Sequence, residues 1–147
     1  KQKTAYEIST RDWSSDVCSS DLMRGDNILL LFSKHLNKWH LPGGHIQVGE
    51  TFESGLAREV QEETGCTLKF YHRIRSTNNN VALYIGKLNN GIMKLSDEHS
   101  KHMWAPIAKA HTLNVCKFTY RDIRYLQTIM HVVRKSTDID SHEPQDN

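Results

Sequence analysis

The spacing of apolar residues along the chain predicts four strands. NILLLF (residues 27–32) is a continuous apolar run that follows the turn-forming RGDN, a combination typical of a buried strand. TLKFYHRI (67–74) and VALYIGKL (81–88) alternate or run apolar as strands do, and the turn-prone STNNN separates them. HMWAPI (102–107) predicts a short strand that ends at Pro106.

One segment changes to the period of an amphipathic helix. Phe52, Leu56 and Val60 recur every four residues in a stretch that is otherwise rich in Glu and Arg. Thr51 is a suitable N-cap for this helix, because its hydroxyl can accept a hydrogen bond from the first turn. Gly65 is a suitable stop, because glycine readily adopts the left-handed conformation that ends helices.

Three further segments complete the predicted organisation. Residues 119–135, TYRDIRYLQTIMHVVRK, carry apolar side chains at helical spacing and predict a second amphipathic helix. Residues 37–50 contain Pro42 and three glycines and predict a loop. The polar tail at 136–147 has few apolar anchors, so we expect it to be disordered.

Composition narrows the classes of protein to consider. The 147 residues suit one domain, and the net charge of +2, from 19 basic and 17 acidic residues, gives no reason to expect a nucleic acid or membrane partner. No apolar run reaches the roughly 18 residues of a membrane span. Cys18, Cys66 and Cys116 are odd in number and far apart, which argues against a disulfide framework or a zinc site. We expect idle thiols in a reducing cytoplasm.

The chemistry concentrates in residues 44–66, GHIQVGETFESGLAREVQEETGC. Residues three and four apart share one face of a helix, so Glu59, Glu62 and Glu63 project together and Arg58 lies one turn from Glu62. Like charges on one face destabilise a helix by a few tenths of a kcal/mol per pair, and a bound divalent cation would offset this destabilisation. Hard carboxylate oxygens favour Mg²⁺ or Mn²⁺. The alternative is a charged helix face that simply contacts solvent.

The loop before this helix adds to the candidate metal site. Glu50, at the end of the loop, is positioned to supply a fourth carboxylate. The glycines of the loop, among them Gly44, allow the backbone to pass close to a metal ion.

The spacing of these residues resembles the Nudix box of the MutT-like hydrolases, Gly-x5-Glu-x7-Arg-Glu-U-x-Glu-Glu-x-Gly-U, where U is apolar. Eight positions match: Gly44, Glu50, Arg58, Glu59, Val60, Glu62, Glu63 and Gly65. Cys66 stands at the last apolar position, which is a mild departure because Cys behaves as a small hydrophobe. A chance match of seven charged or glycine positions is on the order of one in 10⁸ per window. WHLPGGHI (39–46) and EHSKHMWAPI (98–107) also look like the family's flanking segments, so the resemblance runs from about residue 27 to residue 133.

The resemblance implies a Mg²⁺-dependent, or Mn²⁺-dependent, hydrolase of nucleoside diphosphates linked to another group. Metal ions of this kind orient a pyrophosphate and lower the pKa of the attacking water, and a nearby carboxylate takes the proton. By analogy, the metal site comprises Gly44, Glu50, Glu59, Glu62 and Glu63. The catalytic residues are Glu59, Glu62, Arg58, which orients a carboxylate, and Glu98, which matches an extra acid that serves as a metal ligand or as a base in some members.

Substrate residues are harder to choose from the resemblance. Trp39 is a candidate for the nucleotide pocket, although packing against the loop is the ordinary role for such a residue. Tyr84 lies eighteen residues after Cys66, near an offset associated with the family's dinucleoside-polyphosphate hydrolases. The signatures of the ADP-ribose and NADH pyrophosphatase groups do not follow the box. A transition-metal site at His99 and His102 is a further alternative, and polar loop residues are the simpler interpretation.

A catalytically silent Nudix-like module that binds a nucleotide or a protein is the alternative of a different class. Such modules usually lose carboxylates of the box, whereas this chain keeps all of them, which favours the enzyme. The resemblance also implies an α/β (α+β) fold, an α/β/α sandwich with a mixed sheet, located in the cytoplasm. Its partner would be a nucleotide-type small molecule.

The expected first strand of that sandwich should precede RGDN, and nothing upstream of Met23 resembles one. DWSSDVCSSDL (12–22) resembles the translation of a common short-read sequencing adapter, and KQKTAYEI (1–8) resembles the other end of the same oligonucleotide. We therefore expect a foreign leader at 1–22, the domain at 23–135 and the tail after it, with the native first strand missing. A structure would then place residues 16–23 in the vacant position as an accident of geometry.

The leader also changes the charge assigned to the domain. It holds three basic and four acidic residues, so the rest of the chain has 16 basic and 13 acidic residues and a formal charge of +3.

Overall fold

The structure is a computed structural model that describes residues 13–76 and 80–130, with side chains from residue 16 onward. The strands are β1 (Trp13–Arg24), β2 (Asn27–Ser33), β3 (Lys38–His40), β4 (Gly43–Gln47), β5 (Leu68–Ser76), β6 (Val81–Leu88) and β7 (His99–Pro106). The helices are α1 (Phe52–Thr64), a short 3-10 helix (Ile107–Thr112) and α2 (Lys117–Thr128).

All four predicted strands and both predicted helices are present. The strand predicted at 102–107 begins at His99. The helix predicted at 119–135 spans Lys117–Thr128 and so ends earlier than predicted, and residues 131–135 lie outside the described part of the chain. The predicted loop at 37–50 is wrong in part, because it contains β3 and β4. These strands are only three and five residues long, and β4 begins with two glycines, so they form through pairing with neighbours rather than through local preference. The predicted tail at 136–147 lies outside the described residues.

Seven strands of the described chain form one mixed sheet with β1 at its centre. β1 runs parallel to β6, with Val17 opposite Val81, and antiparallel to β4, with Cys18 opposite Gly44. A tight turn at Gly25 joins β1 to β2, which also pairs antiparallel with β3 and β7. β5 lies antiparallel to β6. This pairing places the glycine-containing β4 directly beside the central strand β1.

Helices cover both faces of the sheet, so the predicted α/β/α sandwich is confirmed. On one face, Leu56 and Val60 of α1 are fully buried against the sheet. On the other face, Ile123 and Leu126 of α2 are equally buried. Full burial of an aliphatic side chain contributes about 1.5–3 kcal/mol, so these apolar stripes fix the helices on the sheet.

The first-strand position is filled by β1, although the composition of β1 is polar. Ser20 and Asp21 have no exposed surface at the centre of the sheet, and neither carboxylate oxygen of Asp21 has a hydrogen-bond partner. Burial raises the pKa of Asp21 well above its ordinary value, and the nearby charge of Asp122 raises it further. The adjacent β2 carries four buried apolar residues at 28–31 instead. The foreign origin of residues 1–22 stays a prediction.

Two general features follow from the described residues. None of their helices combines the length and the apolar character needed to cross a membrane. Cys18, Cys66 and Cys116 are free thiols, and burial raises the pKa of Cys18 to about 12.

Candidate active site

Helix α1 begins and ends where local interactions dictate. The Thr51 Oγ1 accepts the backbone N–H of Ser54 at 3.0 Å, and the Ser54 Oγ accepts the backbone N–H of Thr51 at 3.1 Å. This reciprocal capping box satisfies two donors that the first turn would otherwise leave unpaired. Gly65 ends the helix in the left-handed conformation, with φ of 74°, and donates to the carbonyl of Gln61. The predicted cap and stop are confirmed, and they fix where the carboxylates of the helix lie.

Arg58 connects the carboxylates of the helix to the loop before it. Its Nε–H and Nη2–H groups donate to the two oxygens of Glu50 at 2.7 and 3.0 Å. Its Nη1 donates to Glu59 at 3.2 Å and to Glu62 at 3.3 Å, and Nη2 also donates to the carbonyl of His45. The hydrogen bonds from Arg58 hold the pKa of Glu50 below its ordinary value. Glu50 therefore fixes Arg58 in a bidentate ion pair, and Arg58 fixes the next two carboxylates.

Glu59 and Glu63 are buried acids, and the one cation paired with Glu59, Arg58, is shared with Glu50 and Glu62. They are 8% and 6% exposed. Burial raises the pKa of Glu59 against the opposing effect of Arg58, and the charges of Glu62 and Glu98 add to the shift. Burial and the charge of Glu59 raise the pKa of Glu63. A site that buries carboxylates this close together accumulates negative charge, which a cation would relieve.

The glycines of β4 bring backbone against both buried acids. The backbone N–H of Gly43 donates to Glu63 at 3.0 Å. A Cβ atom on Gly44 would lie 2.6 Å from an oxygen of Glu59, so no side chain fits there without moving that carboxylate. A Cβ atom on Gly43 would lie 2.2 Å from the carbonyl oxygen of Cys18. The close approach explains why this part of the site is built from glycine.

Glu98 reaches the same region from a distant part of the chain. It lies just before β7 and is exposed, and its charge raises the pKa values of both Glu59 and Glu63. Its backbone carbonyl accepts the N–H of Lys34, and the N–H of Ser96 donates to the carbonyl of Glu63. These contacts hold the loop that carries Glu98 beside the end of α1.

The donor set of the site fits a hard divalent cation. Glu50, Glu59, Glu62, Glu63 and Glu98 supply carboxylate oxygens, the ligands that Mg²⁺ and Mn²⁺ prefer. Within the described residues, no three His, Cys, Asp or Glu side chains are already arranged to hold an ion. The hydrogen bonds to Arg58 and to the Gly43 N–H explain this, because they turn the carboxylate oxygens toward protein donors.

The two predicted substrate residues lie away from this cluster. Tyr84 is 1% exposed, and its hydroxyl donates to Glu53 at 2.7 Å and accepts from Arg73 at 2.8 Å. Trp39 packs edge-on against Phe32, with ring centroids 5.2 Å apart. A cavity lies beside the carboxylates, and neither side chain lines it. The roles of Trp39 and Tyr84 in substrate binding therefore stay predictions.

That cavity has a volume of about 400 Å³ and lies between β4 and the start of α2. Gly43 and Gly44 form one wall, next to the buried acids. The remaining lining includes His40, Leu41, Ser19, Phe118, Thr119, Arg121 and Asp122. Sequence reasoning missed these residues, because helix α2 carried no chemical motif and only the tertiary fold brings its first turns to the glycine wall.

A pair of histidines joins the cavity to the loop of Glu98. His40 and His99 share a hydrogen bond between their Nε2 atoms at 2.8 Å. The Nδ1 of His40 bonds to the carbonyl of Leu41, and the Nδ1 of His99 bonds to Ser96. Burial lowers the pKa of both histidines, that of His99 to about 4. His102 lines a different cleft, so the alternative metal site at His99 and His102 is not assembled.

The family of the chain follows from comparison with known proteins. The NUDIX domain family matches residues 17–128, which is more than half of the chain and contains every residue of the carboxylate cluster. The chain therefore belongs to the NUDIX domain family, as the box resemblance predicted. The match includes part of β1 and ends with α2.

Individual curated relatives match only part of the chain. A MutT-like protein from Streptomyces ambofaciens is 35% identical over 89 residues, which are 56% of this chain and 58% of that protein. The matched segments of three curated relatives cover 8%, 58% and 30% of their lengths, so the chain spans about three fifths or less of each.

Solved structures share the fold over most of both chains. One from Chromobacterium violaceum, described as a nudix hydrolase family member, has a TM-score of 0.72 at 15% identity and covers 90% of this chain and 96% of that one. An Ap4A hydrolase complex from Caenorhabditis elegans has a TM-score of 0.61 at 21% identity, with coverages of 79% and 98%. At these identities the likeness concerns the fold.

Proposed function

We propose that this chain hydrolyses a pyrophosphate bond in a nucleoside diphosphate derivative, with Mg²⁺ or Mn²⁺ as its cofactor. The observation that carries the proposal is the buried pair Glu59 and Glu63, held between Arg58 and the glycines of β4. Such a pair is costly for folding, because each carboxyl is desolvated next to another acid. A site for divalent cations and phosphates accounts for that cost.

In this proposal, Glu59, Glu62 and Glu63 hold the metal. The bound metal would neutralise the pyrophosphate and lower the pKa of the attacking water. Glu50 and Arg58 act on the ligands rather than on the substrate, because Arg58 uses its N–H groups to orient Glu59 and Glu62. Backbone at Gly43 and Gly44 keeps side chains out of the space in front of these acids.

Proton removal from the attacking water is assigned to Glu98. Its exposure and its separate loop support this role, since a general base must reach the water without being locked by Arg58. The loop is anchored at Lys34 and Glu63, and next to it His99 is bound to His40. These anchors limit how far Glu98 moves from the site.

The nucleoside part of the substrate is assigned to the cavity between β4 and α2. Its volume of about 400 Å³ lies within the range of small-molecule sites, and its wall at Gly43 and Gly44 borders the metal ligands. Asp122 lines this cavity and accepts a hydrogen bond from the Ser19 Oγ at 3.3 Å. The fold alone does not select a substrate. The Tyr84 feature that suggested a dinucleoside polyphosphate is engaged by Glu53 and Arg73.

The test is a substrate screen of the purified full chain with Mg²⁺ and with Mn²⁺. Deoxynucleoside triphosphates, nucleotide sugars, ADP-ribose and dinucleoside polyphosphates cover the candidate groups, and we expect turnover of at least one. The Glu62→Gln variant should lose about 100-fold or more of that turnover, because it removes a ligand charge. It should keep the parent's circular dichroism, because Glu62 is only half-buried and Gln preserves the shape of its side chain. Glu53→Gln is the matched control on the same helix, since Glu53 contacts Arg73 and Tyr84.

A folded protein that turns over none of these compounds would contradict the proposal and favour the silent nucleotide-binding module. Full activity of Glu62→Gln would instead contradict the assignment of the metal ligands and leave the hydrolase in place.

A further inference from the structure

A hydrogen-bonded relay of side chains crosses strand β2 and connects two parts of the candidate site. His40 of β3 pairs with Leu31 of β2, and His99 of β7 pairs with Ser33 of β2. Because Leu31 pairs with residues of both β3 and β7, these two strands lie on opposite edges of β2. The histidine rings meet over β2, with centroids 4.9 Å apart and Nε2 atoms 2.8 Å apart. The contact therefore joins two strands that are not neighbours in the sheet.

The positions of the protons in this relay follow from its ends. The carbonyl of Leu41 can only accept a hydrogen bond, so the Nδ1 of His40, 2.8 Å away, carries a proton. At pH 8 an ordinary imidazole, with a pKa of about 6.5, is uncharged and holds one proton. The Nε2 of His40 is then an acceptor, and the Nε2–H of His99 is its donor. The Nδ1 of His99 accepts from the Ser96 hydroxyl at 2.9 Å, so the relay has one direction, from Ser96 to the Leu41 carbonyl.

One end of the relay is the turn that carries Glu98. Ser96 and His99 begin and end this turn, and the backbone N–H of His99 donates to the carbonyl of Ser96 at 3.1 Å. The Ser96 hydroxyl closes the same turn a second time, through its bond to the His99 ring. The N–H of Lys34 donates to the carbonyl of Glu98 at 3.0 Å. The orientation of the His99 ring therefore fixes the backbone to which the Glu98 carboxyl is attached.

The other end of the relay is the backbone that leads into the glycine wall of β4. Leu41, whose carbonyl ends the relay, lies two residues before Gly43. The N–H of Gly43 donates to the carboxylate of Glu63 at 3.0 Å, and the carbonyl of Glu63 accepts the N–H of Ser96 at 3.4 Å. The relay, residues 41–43 and Glu63 therefore form a closed ring of contacts, which passes through a buried acid and through the turn of Glu98.

Polar rings are a costly filling for a region with so little solvent. His99 is 5% exposed and His40 is half-buried, and apolar side chains of similar volume would need no hydrogen-bond partners there. Here all four ring nitrogens have partners, and a fully satisfied polar network holds one geometry rigidly. The pair therefore suits a role in which the distance between two groups has to be fixed.

We propose that His40 and His99 are positioning residues, which set the place of the Glu98 carboxyl relative to the buried acids. The inference rests on the proposed function, in which Glu98 removes a proton from the attacking water. In this role the histidines act through Glu98 and need no contact with the reacting atoms. Cutting the relay at His99, which does not line the cavity between β4 and α2, should therefore lower kcat and leave KM nearly unchanged.

The first test is steady-state kinetics of the full chain at pH 8, on a substrate identified by the screen. His99→Phe removes both relay bonds of this ring and keeps its approximate size, so kcat should fall by about 10-fold with KM within about twofold. His99→Gln keeps a donor that can reach the Nε2 of His40, so kcat should return to within about threefold of the parent. His102→Phe makes the same change at an exposed position of β7, and this matched control should keep kcat within about twofold.

The second test needs neither metal nor turnover. In EDTA at pH 8, ¹H–¹⁵N spectra of the ring nitrogens should show the proton of His40 on Nδ1 and that of His99 on Nε2. This measurement uses the unaltered chain, so it does not depend on the folding of a variant. The amide signals of Gly43 and Gly44 should shift in His99→Phe and stay in place in His102→Phe, because only the first variant cuts the relay.

Reversed tautomers, unshifted glycine amides in His99→Phe, or an unchanged kcat in that variant would each overturn the proposal. So would equal losses of kcat in His99→Phe and His99→Gln, because the retained donor would then have no effect. A parent chain that turns over no substrate would instead contradict the hydrolase. The tautomers and the amide shifts would still decide whether the relay holds the turn of Glu98 to the glycine wall.

Discussion

At the scale of the residue, Arg58 holds more groups of the candidate site in place than any single carboxylate does. It donates to Glu50, Glu59, Glu62 and the carbonyl of His45 through a planar fork of N–H groups. A lysine has one compact ammonium group and cannot reach these acceptors at once. The residue that organises the ligands is therefore not itself proposed as a ligand.

The Arg58→Lys substitution should reduce turnover between about 10-fold and 100-fold, the usual effect of losing a group that orients metal ligands. The Mg²⁺ concentration required for half-maximal activity should rise, because Glu59 and Glu62 lose their fixed orientation. Steady-state kinetics across a Mg²⁺ titration measures both effects. Arg124→Lys, an exposed position on α2, is the control. Turnover of Arg58→Lys within twofold of the parent, at the same Mg²⁺ requirement, would contradict this role.

At the scale of the element, helix α1 could be predicted almost to the residue, whereas β3 and β4 could not. Local residues determine both ends of the helix: Thr51 and Ser54 cap its first turn, and Gly65 ends its last turn. β4 has no such local signal. It forms because β1 offers unpaired backbone groups opposite Gly43 and Gly44, a condition that depends on the whole sheet.

The two glycines of β4 should respond differently to alanine. At Gly44 the new Cβ meets the flexible end of Glu59, so the carboxylate moves and activity falls, while the fold is retained. At Gly43 the Cβ meets the backbone of Cys18 and the φ of 152° is poorly suited to a side chain, so stability should fall by more than about 1 kcal/mol. Urea unfolding and turnover assays of both variants separate these effects. Equal losses of stability would show that the two glycines have the same role.

At the scale of the whole molecule, the carboxylate cluster was predictable and the cavity beside it was not. Glu59, Glu62 and Glu63 share a helix face because of the helical period, which sequence spacing reports directly. Phe118 and Asp122 reach the cavity only because α2 packs across the sheet from β4. Glu98 could be predicted only through the family resemblance, because no local sequence pattern indicates its position.

At the centre of the sheet, an acidic residue occupies a buried position that would ordinarily hold an apolar one. Asp21 is fully buried without a hydrogen-bond partner, and its pKa is raised by burial and by the charge of Asp122. The folded state therefore holds the proton of Asp21 at pH values where the unfolded chain, with its ordinary pKa of 3.8, has released it. Stability consequently decreases as pH rises above about 4, until the pKa of the folded state is passed.

Replacing Asp21 with valine should remove this pH-dependent cost and supply a side chain suited to a central strand. We expect Asp21→Val to increase the free energy of unfolding by at least about 2 kcal/mol at pH 7, because an unpaired buried carboxyl is lost. The gain should be smaller at pH 5, where more of the parent's Asp21 is protonated in both states. Urea unfolding at the two pH values measures the gain, with Asp97→Asn at an exposed position as the control. A gain that is absent, or larger at pH 5 than at pH 7, would mean that Asp21 is not buried as an unpaired acid, and that β1 is not the strand at the centre of the sheet.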